Sequence, residues 1–104
     1  MLFMLRMDAS LPAAMPLAQV DILRQQEKAR GEQLIEQKML VRIWRVVGRL
    51  SNVSIWNAPS LEVLHEAVTS LPMSPYMTVE VTPLIDHPVT HLADSMASQR
   101  PVSP

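Results

Sequence analysis

The chain has 104 residues, of which 48% are hydrophobic and 18% charged, with a formal net charge of -1 at pH 7 and no cysteine. That length suits one domain, the near-neutral balance offers no basic surface for nucleic acid or an anionic membrane, and the missing thiols exclude disulfides, a cysteine nucleophile and thiolate metal sites. No apolar run approaches the ~18 residues of a membrane span, so a cytoplasmic protein is expected, and the apolar surplus of so short a chain points to a homo-oligomer.

The opening alternates: Phe3, Leu5 and Met7 share one face, and Met4, Arg6 and Asp8 the other. That pattern predicts a strand over 1–9 covered on one side. Leu11 to Pro16 reads as a linker, with Pro16 suited to be the first helical residue. The longest helical stretch follows over 17–38, with Val20, Leu23, Leu34 and Ile35 marking an apolar stripe. Met39 to Val47 is rich in β-branched residues and predicts a second strand. A turn over 48–51 and a strand over 52–56 complete a hairpin. Ser60 is a good N-cap, with Glu62 in the first turn of a helix carrying Leu61, Leu64, Val68 and Leu71 at helical spacing. Met77, Val79 and Val81 alternate with polar residues in a fourth strand. The order β-α-β-β-α-β predicts an α+β, ferredoxin-like fold, an antiparallel sheet with two helices on one face. Residues 1–91 form the expected catalytic domain, and 92–104 read as a C-terminal tail ordered only by docking on a neighbouring subunit.

One residue breaks the pattern of the first helix. Val20, Glu27 and Leu34 are seven apart and fall on nearly one line, so a carboxylate stands where a leucine is expected. Gly31, one turn further on, is a poor helix former that leaves room beside it. A carboxylate held between helix and sheet is partly desolvated, which raises its pKa and suits a general base. Arg24, one turn before, opposes that shift or holds an anionic substrate group. On helix geometry alone the other reading also stands: a rim glutamate turned to solvent or paired with Arg24 or Arg30.

Several further features recur together in one family. They are Met1-Leu2-Phe3 with Leu11-Pro12, Glu27-Lys28, Trp44-Arg45 with Gly48, Asn52 with Ser54, Pro59-Ser60, Leu64-His65, Leu71-Pro72 with Pro75-Tyr76-Met77, Glu80-Val81 and His87-Pro88. In this order they make the sequence resemble the muconolactone isomerases from Met1 to about Pro88. The resemblance implies a ring-like homodecamer with active sites shared between subunits, no metal and no organic cofactor. It also implies a glutamate base, which maps onto Glu27. The substrate it implies is a small unsaturated lactone carrying a carboxymethyl arm. The base removes the C4 proton, giving a dienolate, and donors near the lactone oxygen stabilise that charge. Arg24, Asn52, Ser54, Tyr76 and Ser74 are the candidate substrate-binding residues.

Leu40, Leu50 and Ser74 stand where members of this family commonly carry aromatic residues. One branch eliminates chloride from 5-chloromuconolactone to give a dienelactone, after the same C4 proton abstraction. Smaller side chains are compatible with room for chlorine, and Ser74 with a donor to chloride. The reading placed first is therefore this dehydrohalogenation, in the degradation of chloroaromatics by way of chlorocatechol. Muconolactone delta-isomerisation to 3-oxoadipate enol-lactone is the alternative, and a non-catalytic small-ligand binding protein is a more distant one.

The remaining polar residues have plainer readings. His65 reads as structural or interfacial. His87 and His91 are separated by Pro88 and lack a third ligand, so no metal site is expected. Arg42 and Arg45 flank Trp44, and intersubunit ion pairs are favoured for Arg45 over substrate contact. The eight methionines are read as adaptable core and interface filler. No G-x-S-x-G elbow is present, which disfavours serine hydrolase chemistry.

Overall fold

The computed structural model describes residues 1–90. The expected domain boundary at 91/92, the tail over 92–104 and His91 lie outside the described residues. Strand β1 (Leu2–Ala9) buries Phe3, Leu5 and Met7 on one face, as its alternation requires. Helix α1 (Leu17–Glu36) starts after Pro16, which is the N-cap rather than the first helical residue. The helix stops where Lys38 takes a left-handed conformation, φ 62°. There the Met39 N–H reaches the Leu34 carbonyl at 3.0 Å and the Lys38 N–H reaches that of Ile35 at 2.9 Å.

Strands β2 (Leu40–Arg45) and β3 (Ser51–Asn57) form the expected hairpin. Its tight turn places Gly48 at φ 78°, a conformation a side chain would strain. Helix α2 (Leu61–Thr69) is capped by Ser60, whose Oγ accepts the Val63 N–H at 3.2 Å. A single 3-10 turn at Ser74–Tyr76, absent from the sequence reading, leads into β4 (Met77–Leu84).

The sheet order is β2-β3-β1-β4, and every pairing is antiparallel. This is the ferredoxin-like arrangement that the element order predicts. Pro83 lies on β4, an edge strand, where its missing N–H leaves no gap in a central ladder. Leu34 of α1 and Leu64, Ala67 and Val68 of α2 join Phe3, Leu5 and Trp56 in one core, so both helices cover the same face.

Two details of the chain decide where the site lies. The register of β2 against β3 shifts between Leu40, opposite Trp56, and Arg42, opposite Ile55, leaving Val41 as an extra residue. Such a bulge reverses the side-chain alternation beyond it. Leu40 faces the core before the bulge, and Ile43 and Arg45 face the same side after it. In α1, only Leu34 of the expected stripe is fully buried; Val20 and Leu23 are partly covered and Ile35 is exposed.

Candidate active site

A cleft of about 620 Å³ opens between α1 and the β2-β3-β1 part of the sheet. From the helix it is lined by Arg24, Glu27, Lys28, Gly31, Glu32 and Ile35. These positions advance by three, one, three, one and three, so they occupy one face of the helix. The face of α1 over the cleft is therefore charged, with one glycine. The sheet contributes Met7, Leu40, Ile43, Arg45, Asn52 and Trp56, which form a largely apolar floor. Arg45 and Asn52 are cross-strand partners there. Leu71, Met73 and Met77 close one end.

Glu27 is half-buried and turned into this cleft. Its Oε2 accepts the backbone N–H of Met73 at 3.0 Å, while Oε1 is buried without a hydrogen-bond partner. Desolvation raises its pKa above the usual glutamate value, and the Met73 hydrogen bond partly opposes that rise. The alternatives left open by helix geometry are therefore not adopted. Glu27 pairs with neither Arg24 nor Arg30, and Arg30 is engaged instead by Ser70 Oγ at 2.9 Å and Gln33 Oε1 at 2.9 Å.

Asp8 makes a useful contrast. It lies on the opposite face of β1, where the Ser51 hydroxyl and then Arg6 hold its carboxyl below the usual range. That carboxylate is already satisfied, whereas one oxygen of Glu27 has no hydrogen-bond partner.

The remaining cleft groups suit an anionic ligand with a polar ring. Lys28 sits 4.0 Å from Glu32, an i,i+4 pair. Arg24 and Arg45 form no ion pair among the described residues and are open to a carboxylate. Asn52 Oδ1 is buried without a partner. A buried amide oxygen left unpaired is costly, and rotating the amide by half a turn would instead present its N–H₂ donors at that point. No group of three or more His, Asp or Glu with metal-binding geometry occurs among the described residues.

Of the six candidate site residues, the fold brings Glu27, Arg24 and Asn52 together in the cleft. It does not bring the other three there. Ser54 is fully buried beneath the floor, where its Oγ accepts the Trp56 Nε1–H at 2.8 Å. Ser74 lines a separate groove between α2 and β4, with His65 and Val79. Tyr76 ends the 3-10 turn and lines neither cavity. The bulge turns Arg45 toward the cleft and puts Arg42 on the outer face, 5.2 Å from the Trp44 ring centroid.

The profile of the family described as muconolactone delta-isomerase matches residues 1–90. The chain belongs to the muconolactone delta-isomerase family. The muconolactone delta-isomerase of Cupriavidus pinatubonensis is 43% identical over 88 residues, covering 85% of this chain and 96% of that protein. The protein of the same name from Acinetobacter baylyi is also 43% identical, covering 85% and 92%. A crystal structure of muconolactone isomerase superposes with a TM-score of 0.80 at 36% identity, over 85% of this chain and 92% of that one. The chain is thus an enzyme of an isomerase family, and its fold is that of a solved member. No helix among the described residues is long and apolar enough to cross a membrane.

Proposed function

We propose that this enzyme is a muconolactone delta-isomerase in which Glu27 moves a proton from C4 to C2 of the lactone. The observation that carries the reading is the half-buried Glu27 carboxylate at the cleft, with one oxygen tethered to Met73 and the other without a hydrogen-bond partner. The C4–H bond breaks, its proton goes to the carboxylate, and its electron pair spreads through the double bond to the lactone oxygen. The same carboxyl then returns the proton to C2, which shifts the double bond and regenerates the base. Asn52 can turn its amide N–H toward the lactone oxygen and stabilise the dienolate. Arg24 and Arg45 are suited to hold the carboxymethyl arm, which fixes the ring over Glu27. None of these steps calls on a metal or an organic cofactor.

The isomerase reading takes precedence over the dehydrohalogenation placed first from the sequence. The relatives described above carry the isomerase name. Leu40 and Leu50 do line the cleft, but Ser74, the intended chloride donor, faces the other groove.

We also infer a homo-oligomer, a decamer by the family resemblance, with sites shared between subunits. Leu17 is 83% exposed and Ile22 56% on α1, which supports cover from another chain. The expected cytoplasmic location is part of the same proposal.

The decisive measurement is turnover of muconolactone and 5-chloromuconolactone by the purified protein and by Glu27→Gln. The wild type should isomerise the unsubstituted lactone. The variant should lose about 10²–10⁴-fold in kcat with KM little changed, because a positioned base is worth about that much. Chloride release outpacing isomerisation would restore the dehalogenase reading. A Glu27→Gln enzyme with wild-type kcat would place the base elsewhere.

A further inference from the structure

The Glu27 carboxylate is not symmetrical. Oε2 takes the Met73 N–H at 3.0 Å, and Oε1 is buried and bare. The donor is itself firmly held. Leu71, in the core, accepts the Ser74 N–H at 2.9 Å, closing a turn with Pro72 and Met73 at its centre. The Met73 carbonyl then accepts the Tyr76 N–H at 2.8 Å. Met73 is in ordinary helical backbone, φ -82°, so the amide is aimed without strain. One oxygen of a flexible side chain is thereby tied to a fixed point 46 residues away in sequence, across the end of the cleft.

We propose that the backbone N–H of Met73 is a positioning group for the base, holding Oε2 so that the Glu27 carboxylate stays at the end of the cleft rather than swinging out to solvent. This deepens the reading of Glu27 as the base and rests on it. An untied glutamate is free to rotate toward solvent or Arg24, and either oxygen then meets the substrate in several orientations. The tie fixes where the carboxylate sits, and both proton transfers start from that position. The hydrogen bond also favours the ionised form, so the carboxylate stays available as a base although it is desolvated.

The test removes the donor and nothing else. The α-hydroxy analogue of methionine, placed at position 73 by nonsense suppression, replaces the N–H with an ester oxygen. In protein labelled with ¹³C at glutamate carboxyls, Glu27 is identified by the resonance missing from Glu27→Gln. Its titration midpoint should rise by about one pH unit in the ester protein, and the acid limb of kcat/KM should rise with it. Met73→Leu, which keeps both the N–H and the apolar bulk that closes the cleft, should leave the midpoint at its wild-type position. An unchanged midpoint in the ester protein overturns the proposal. If the ester protein does not fold, the wild type still decides. Its Met73 amide proton should titrate together with the Glu27 carboxyl and lose that titration in Glu27→Gln. An amide proton indifferent to Glu27 overturns the proposal as surely. These titrations need no substrate, so absence of muconolactone turnover rejects the isomerase reading while the positioning role is judged separately.

Discussion

Helices α1 and α2 cover the same face of one sheet but put different chemistry against it. In nine residues α2 buries Leu64, Ala67 and Val68, begins at a side-chain cap and carries Glu62 in its first turn. In twenty residues α1 fully buries only Leu34 and has no side-chain cap bond. Its inner face between Arg24 and Ile35 lies over open space rather than over core. The difference separates structure from function. A helix that exists to fill a core shows a clean apolar stripe, whereas one that roofs a cleft must bring charge and leave gaps.

The contrast is broken most severely by emptying the core beneath α2. Leu64→Ala should cost about 2–5 kcal/mol in chemical denaturation, since Leu64 is only 2% exposed. Leu17→Ala on α1 should also lose stability in the assembled oligomer, because the proposed neighbouring subunit covers a side chain that is 83% exposed in the single chain. A loss within about 0.5 kcal/mol would mean that no subunit covers α1 there. Removing the cap of α2 by Ser60→Ala should cost about 1 kcal/mol, measured in the same way.

Gly31 sharpens the comparison in the other direction. A methyl group added there meets nothing within 4 Å, so the glycine is not required by packing. Gly31→Ala should therefore stabilise the protein by about 0.5–1 kcal/mol through helix propensity. Gly31→Leu should fold as well as Gly31→Ala but raise KM, because its side chain extends into the cleft beside Glu27. If Gly31→Leu binds substrate as the wild type does, the cleft is not the substrate site.

Most of the fold could be read from the chain because each element follows from a local rule. Alternation gave β1, the Ser60 cap and apolar spacing gave α2, and Gly48 gave the hairpin turn. Glu27 was legible for a related reason: it interrupts a stripe. The rest of the site was hidden by effects that are not local in sequence. The bulge at Val41 inverts the facing of Arg42 and Arg45, and apolar alternation in β2 contains no mark of it. Ser54 and Ser74 are polar residues without a spacing that distinguishes cleft from core or from the groove beside α2. The Met73 contact is made by backbone, which every residue but proline carries, so no side-chain pattern can disclose it. A signal for the roof was present and unused: Arg24, Glu27, Lys28, Gly31 and Glu32 follow helical spacing as closely as any apolar stripe.

The smallest expected effect carries the opposite sign to the usual one for a buried polar residue. Burial raises the Glu27 pKa, with the Met73 N–H restoring only part of the difference. The folded state therefore holds this proton more tightly than the unfolded chain does. Between the unfolded pKa and the raised folded one, the native protein binds more protons, so stability falls as pH rises through that window. Glutamine fills the same space without ever ionising. Glu27→Gln should match the wild type in melting temperature near about pH 4 and exceed it modestly by about pH 8. The size is limited because Glu27 is only half-buried and solvent screens part of its charge. The window in which the two melting curves part should coincide with the acid limb of wild-type turnover, because one proton governs both. A wild type that gains on the variant as pH rises would show the ionised carboxylate to be stabilised by a cation in solution. Arg24 would then be its partner rather than the substrate's, and the cleft would present an ion pair in place of a base.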